Sequence, residues 1–246
     1  TVRVVGEDPK TNPVAVKSKI GVQLQTAAMF PRLPVREIVR LYASFYPNPL
    51  KVDDAISLVG LEEKANTQTR NLSGGQLQRL SVALALVANG EVVFLDEPTT
   101  GMDPQARRAL WDVIEGMKAS GKTVFLTTHY MEEAERLCDS VVVIDQGKAI
   151  AIGSPAQLIR EHFSEQAIEF SHSQLSSDES LSSLPGVTRM QAEEDTVILY
   201  SAEIPKTMGA LLHYAQEANA EISGLTVRTA TLEDVFLKIT GRRIRE

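Results

Sequence analysis

The sequence predicts an α/β domain on a largely parallel sheet, followed by a small α+β module. Three observations carry this expectation. Short apolar runs at residues 92–95, 123–127, 141–144 and 149–152 alternate with helical stretches, a pattern expected of strands buried on both faces. An earlier run, residues 20–24, is separated from them by a long region with apolar residues at three- and four-residue spacing. Beyond Phe163 the character changes: residues 1–164 carry 18 basic and 19 acidic side chains, whereas residues 165–246 carry 7 and 13. The predicted division is therefore a domain over 1–163 and a second over 164–246.

The elements follow in order. The first 25 residues read as strand material, with 1–5 apolar-rich, a turn at 6–9, and the run 20–24. A helical region over about 34–89 follows from Val35, Ile38, Val39 and Tyr42, and from Leu77, Leu80, Leu84 and Val87. Asp103 is a natural N-cap with Pro104 in the first helical position, and Leu110, Val113, Ile114 and Met117 make that helix's apolar stripe. Gln146-Gly147 joins two runs as a hairpin, and Ser154-Pro155 opens another helix. Residues 171–183 hold seven serines and read as a solvated loop. Strands at 187–191, 196–200 and 221–228, and helices at 206–218 and 231–240, complete the second module. Arg242, Arg243 and Arg245 read as a solvated basic end.

Composition narrows the function classes. The 246 residues carry a formal charge of -7, which argues against non-specific nucleic-acid binding, since that needs basic surface to displace counterions. A lone Cys138 allows no disulfide framework. No apolar run approaches the ~20 residues needed to cross a bilayer.

The chemistry sits in two stretches. Leu72-Ser73-Gly74-Gly75-Gln76 precedes a helix, and the first turn of a helix exposes unpaired backbone N–H groups and the positive end of its dipole, a ready anion site. Four apolar residues then end in Asp96-Glu97, which puts two carboxylates at the C-terminal end of a buried strand, where open α/β sheets place their ligands. There one can bind hydrated Mg²⁺ while the other orients or deprotonates a water for attack on phosphorus. Thr127-Thr128-His129 repeats the geometry on the next strand and brings an imidazole to the same place. Gln25 ends the run 20–24 and can offer an amide oxygen to metal or water; Gln23, two residues earlier, lies deeper and is the weaker candidate.

Taken together, Leu72 to Gln76, Leu95-Asp96-Glu97-Pro98, Gly101-Met102-Asp103 and His129 resemble the signature, Walker B, D-loop and switch histidine of an ATP-binding cassette ATPase. Ile20 to Gln25 is similar to its Q-loop, and the tail around Thr231 to Phe236 is similar to the C-terminal extension of ABC-2 type drug and antibiotic exporters. The resemblance implies a P-loop NTPase-like nucleotide-binding domain with a helical subdomain and a small α+β C-terminal domain of accessory or regulatory kind. It implies ATP and Mg²⁺ as cofactors: Asp96 and Gln25 toward the metal, Glu97 as general base, His129 on the γ-phosphate and attacking water. Ser73, Gly74, Gly75, Gln76 and Asp103 would contact nucleotide in a head-to-tail dimer with a second ATPase subunit, identical or not. A transmembrane permease would be the other partner, with the chain peripheral on the cytoplasmic face of the cell membrane and no nucleic acid involved. The alternatives are a soluble cassette protein outside transport and a degenerate regulatory chain that binds nucleotide without cleaving it.

An ATPase of this class needs G-x-x-x-x-G-K-[ST] between a strand and a helix. One match exists, from Gly116 to Thr123, but it ends a helix and enters a strand, the reverse order. Lys122 is therefore expected to be structural, and the genuine loop to precede Thr1. The expectation is a chain lacking its N-terminal Walker A unit and inactive on its own.

Overall fold

Three strands, β1 (Ile20–Gln23), β2 (Val92–Asp96) and β3 (Thr123–Thr127), lie side by side in that order and run parallel. They belong to a computed structural model that describes residues 2–25, 29–171, 179–193 and 196–241. The chain divides into two compact units, Thr1–Leu137 and Cys138–Glu246, a boundary that falls ahead of the compositional shift at Phe163.

In the first unit, α1 (Pro13–Lys17) precedes β1. Parallel neighbours need crossovers. Helices α2 (Val35–Ala43), α3 (Val52–Leu58) and α4 (Gly74–Leu86) connect β1 to β2, α5 (Pro104–Ala119) connects β2 to β3, and α6 (Met131–Leu137) follows. The apolar spacing read in the sequence is the buried face of α2, where Val35, Ile38 and Val39 are fully buried. Seven consecutive residues of α4, 80–86, are buried, as expected for a helix that is apolar all round. α4 lies so close to β1 that a Cβ on Gly21 would meet the Ala85 carbonyl oxygen at 2.1 Å. Only glycine fits there.

Two expectations are corrected in this unit. Residues 2–5 form no strand: Val4 bridges back to Glu7 across a turn at Gly6, and a five-residue helix follows. The strands are not buried on both faces either, because α4 and α5 cover one face while the other carries Val22, Phe94 and Phe125 in register. Phe125 is 59% exposed, and its ring stands 5.5 Å from that of Phe94.

In the second unit, β4 (Val141–Asp145) and β5 (Lys148–Gly153) form an antiparallel hairpin. Gln146 and Gly147 both take positive φ, 48° and 76°, as a two-residue primed turn requires. Val142, Ile144 and Ile152 are half or more exposed, so this pair also departs from burial on both faces. After α7 (Pro155–His162), β6 (Gln166–Ser171), β7 (Val187–Glu193), β8 (Thr196–Ser201) and β9 (Ser223–Arg228) build a sheet in the order β7-β8-β6-β9, every pairing antiparallel. Helix α8 (Ile204–Glu217) packs on it and α9 (Leu232–Thr240) follows. Ile168, Phe170, Leu181, Val197, Leu199 and Leu211 form a fully buried core. The interior strand β6 escaped sequence reading: its signal is six residues long, with Ile168 and Phe170 as its fully buried alternating pair. Most of the serine-rich segment, 172–178, and the basic end with Arg242, Arg243 and Arg245 lie outside the described residues.

Candidate functional site

The three parallel strands end on one side, so whatever follows each of them converges there. β1 delivers Gln25, β2 delivers Asp96 and Glu97, and the turn after β3 delivers His129. Three groups meet on one oxygen. Glu97 Oε2 accepts a hydrogen bond from Gln25 Nε2 at 3.0 Å and one from the Thr100 hydroxyl at 3.2 Å, and His129 Nδ1 lies 3.4 Å away. Asp96 Oδ1 accepts from the Thr127 hydroxyl, which also accepts from the Glu97 amide at 3.2 Å. Glu97 and His129 are both partly exposed, open to a ligand from outside.

The backbone under these carboxylates is unusual. Glu97 has φ +46°, a left-handed conformation that residues other than glycine adopt rarely. Its amide donates to Thr127 O at 3.0 Å, and its carbonyl accepts from Gln78 Nε2 on α4 at 3.1 Å. Gln23 is 2% exposed and turned inward, its carboxamide bonded to backbone on β2. Of the two glutamines in Ile20 to Gln25, Gln25 reaches the carboxylates and Gln23 does not.

Ser73 caps α4: its hydroxyl accepts from Gln76 N at 3.3 Å, and Gln76 Oε1 accepts from Ser73 N at 3.0 Å. This reciprocal capping box engages both side chains. It leaves the first-turn amides of Gly74 and Gly75 without intrahelical acceptors. A Cβ on Gly74 would meet nothing within 4 Å, so that backbone is open to close approach. Asp103 caps α5, its Oδ1 accepting from Gln105 N at 3.0 Å and Ala106 N at 2.9 Å. The bond from Ala106 leads the causes that hold its carboxyl below the ordinary aspartate range.

Lys122 sits at the N-terminal end of β3, where its amine donates to Asn89 Oδ1 and Gly90 O, both at 2.9 Å. The Gly116 to Thr123 match is a helix end entering a strand; it cradles nothing. Thr100, Thr127 and Gln78 were missed by sequence reading. Thr127 alone had a readable signal, since it ends the strand beside the one that ends in Asp96.

The donors suit a hard cation bound with a nucleotide. Among the described residues no group of three or more His, Cys, Asp and Glu is arranged to hold a metal alone. One carboxylate and one amide oxygen fit Mg²⁺, which keeps waters and takes phosphate oxygens as further ligands.

The ABC transporter family model matches residues 1–100, and that of the ATP-binding protein DrrA1-3-like, C-terminal domain, matches residues 153–240. The chain is 36% identical over 253 residues to Nod factor export ATP-binding protein I of Ralstonia nicotianae, covering 100% of this chain and 78% of that protein. It is 39% identical to the protein of the same name from Cupriavidus pinatubonensis, covering 97% of this chain and 72% of the relative. Among solved structures, an ATP binding subunit of an ABC transporter superposes with a TM-score of 0.58 at 25% identity, over 64% of this chain and 68% of the other. A dimeric ATP-binding cassette bound to ADP and Pi shares the fold at a TM-score of 0.54 and 24% identity, over 60% of this chain and 68% of that one. Relatives more than 30% identical over 97% or more of the chain, on a parallel sheet whose strand ends carry adjacent carboxylates, show an ATP-binding cassette ATPase. The chain belongs to the ATP-binding cassette family.

Proposed function

We propose that this chain is the greater part of the ATPase subunit of an exporter, in which binding and hydrolysis of Mg-ATP drive a membrane partner. The observation that carries the reading is the convergence of Gln25, Thr100 and His129 on Glu97 Oε2, beside Asp96. The export assignment rests on relatives whose names state export of Nod factor; the transported compound is the partner's to choose.

In this mechanism Gln25 and Thr100 fix one oxygen of Glu97, which leaves Oε1 to take the proton of a water placed in line with the γ-phosphorus. His129, at the same oxygen, orients that water and the phosphate. Asp96 and Gln25 would hold Mg²⁺, which when bound neutralises charge on the phosphate oxygens. The amides of Gly74 and Gly75, with Ser73 and Gln76 setting the helix start, would close on ATP held by a second ATPase subunit, and Asp103 fixes the loop beside them. Residues 1–163 form the cassette portion and 164–246 an accessory domain. The segment from Gln25 to Tyr46 faces a transmembrane permease, with the chain peripheral on the cytoplasmic membrane face. No helix among the described residues is long and apolar enough to cross a membrane, which agrees with a separate membrane partner.

The test is Glu97→Gln in the full-length protein. Steady-state hydrolysis falls by about a hundredfold or more while ATP binding persists; undiminished turnover overturns the reading.

A further inference from the structure

We propose that Gln23 is a positioning residue for hydrolysis: its buried carboxamide acts as an extra peptide unit between β1 and β2 and fixes the backbone that carries Asp96 and Glu97. The inference rests on the reading of Glu97 as general base.

The β1–β2 register ends at Gln23 opposite Leu95, one residue short of Asp96. There the side chain takes over. Gln23 Oε1 accepts the Asp96 amide at 3.1 Å, and Nε2 donates to the Asp96 carbonyl at 3.1 Å and to the Leu24 carbonyl at 2.9 Å. One donor and one acceptor in amide geometry reproduce the rung that the chain itself no longer supplies. Gln23 is 2% exposed, so water does not compete for these bonds.

Substitutions show why the residue type matters. Glutamate would accept from the amide but present oxygen to two carbonyl oxygens; leucine or methionine would leave the Asp96 N–H and C=O without these partners. On its other edge Asp96 pairs with Thr127 in β3. Glu97 follows at φ +46°, a conformation that persists only where the surroundings over-determine it. Gln23 on the Asp96 carbonyl and Gln78 on the Glu97 carbonyl supply that constraint with two consecutive bonds. Without Gln23 the Asp96–Glu97 peptide is held from the β3 side, through the Glu97 amide on Thr127 O at 3.0 Å, and no longer from β1, so it can tilt and carry Glu97 Oε2 away from Gln25 and His129.

The test uses Gln23→Met, closest in length and shape, and Gln23→Leu, both in the full-length protein beside Glu97→Gln. The expected result for Gln23→Met is a kcat lower by about ten- to a hundredfold with KM for Mg-ATP within about twofold. Hydrogen exchange at the Asp96 amide should be at least about tenfold faster, with Val93 protection unchanged. If Gln23→Leu fails to fold, Gln23→Met alone decides. A Gln23→Met enzyme with wild-type kcat, or with its Asp96 amide still protected, overturns the inference. Hydrolysis lost in Glu97→Gln but intact in Gln23→Met removes this inference alone, whereas hydrolysis intact in Glu97→Gln removes the reading beneath it.

Discussion

Gln25 Nε2 donates to Glu97 Oε2 at 3.0 Å across two neighbouring strand ends, so the segment after β1 reports directly on the carboxylate at the end of β2. Both residues are solvent-accessible, and the bond can be exchanged for one to water or metal at little net cost. Gln25→Ala in the full-length protein should therefore keep the fold but lose the orientation of Glu97. The expected kcat is about tenfold lower, with thermal stability within a degree or two of the parent. A calorimetric scan and steady-state ATPase rates check this; an unchanged kcat would show that Thr100 and His129 suffice to hold Glu97.

Two glycines separate folding from function. On Gly21 a methyl group would collide with the Ala85 carbonyl at 2.1 Å, a backbone atom that cannot move without shifting α4 from β1. Gly21→Ala is expected to cost about 3 kcal/mol in urea unfolding. On Gly74 the added methyl meets nothing and the first turn of α4 loses only chain entropy, so stability rises by up to about 1 kcal/mol. Under the proposed function the methyl occupies the space a phosphate would enter, and hydrolysis by the full-length protein should fall by about a hundredfold. A Gly74→Ala protein that is both stable and fully active would remove α4 from the nucleotide site.

The contrast between these glycines marks what was legible in the sequence. Four- to six-residue apolar runs located β2 and β3 to within a residue, because their ends are set by Asp96 and by Thr128-His129. The same rule misjudged their environment, since a run of β-branched and aromatic residues does not say whether a second layer covers Phe125. Residues 2–5 failed for a related reason: among the described residues their β propensity meets no neighbouring strand, and Val4 bridges to Glu7 across a turn at Gly6. In the candidate site, residues contributed by strand ends were readable. Gln78 and Thr100 were not, because their roles depend on where a helix and a loop fold back in space.

Lys122 offers a test that separates motif from geometry. Its amine is committed to Asn89 and Gly90 at the end of β3 remote from His129, and five strand residues at ~3.3 Å each set the two ends apart. In the full-length protein Lys122→Ala should leave kcat and KM within about twofold. A Lys122→Ala protein that folds but loses most of its Mg-dependent turnover would overturn this expectation.

Asp103 gives a prediction in pH. Its carboxyl is held below the ordinary aspartate range, first by the bond from Ala106 N and then by that from Gln105 N, at the start of α5. A depressed folded-state value means that protons bind more readily to the unfolded chain. The stability from the charged cap is therefore complete above the unfolded value, about pH 4, and is lost as pH falls through the lower folded value. Asparagine caps a helix about as well as aspartate but does not titrate, so Asp103→Asn should retain the helix while flattening the decline in unfolding free energy as pH falls below about 4. Urea unfolding of both proteins across that range measures the slopes. Equal slopes would mean that the acid sensitivity arises elsewhere, with Glu115, whose carboxyl Arg136 holds low, as the next group to replace.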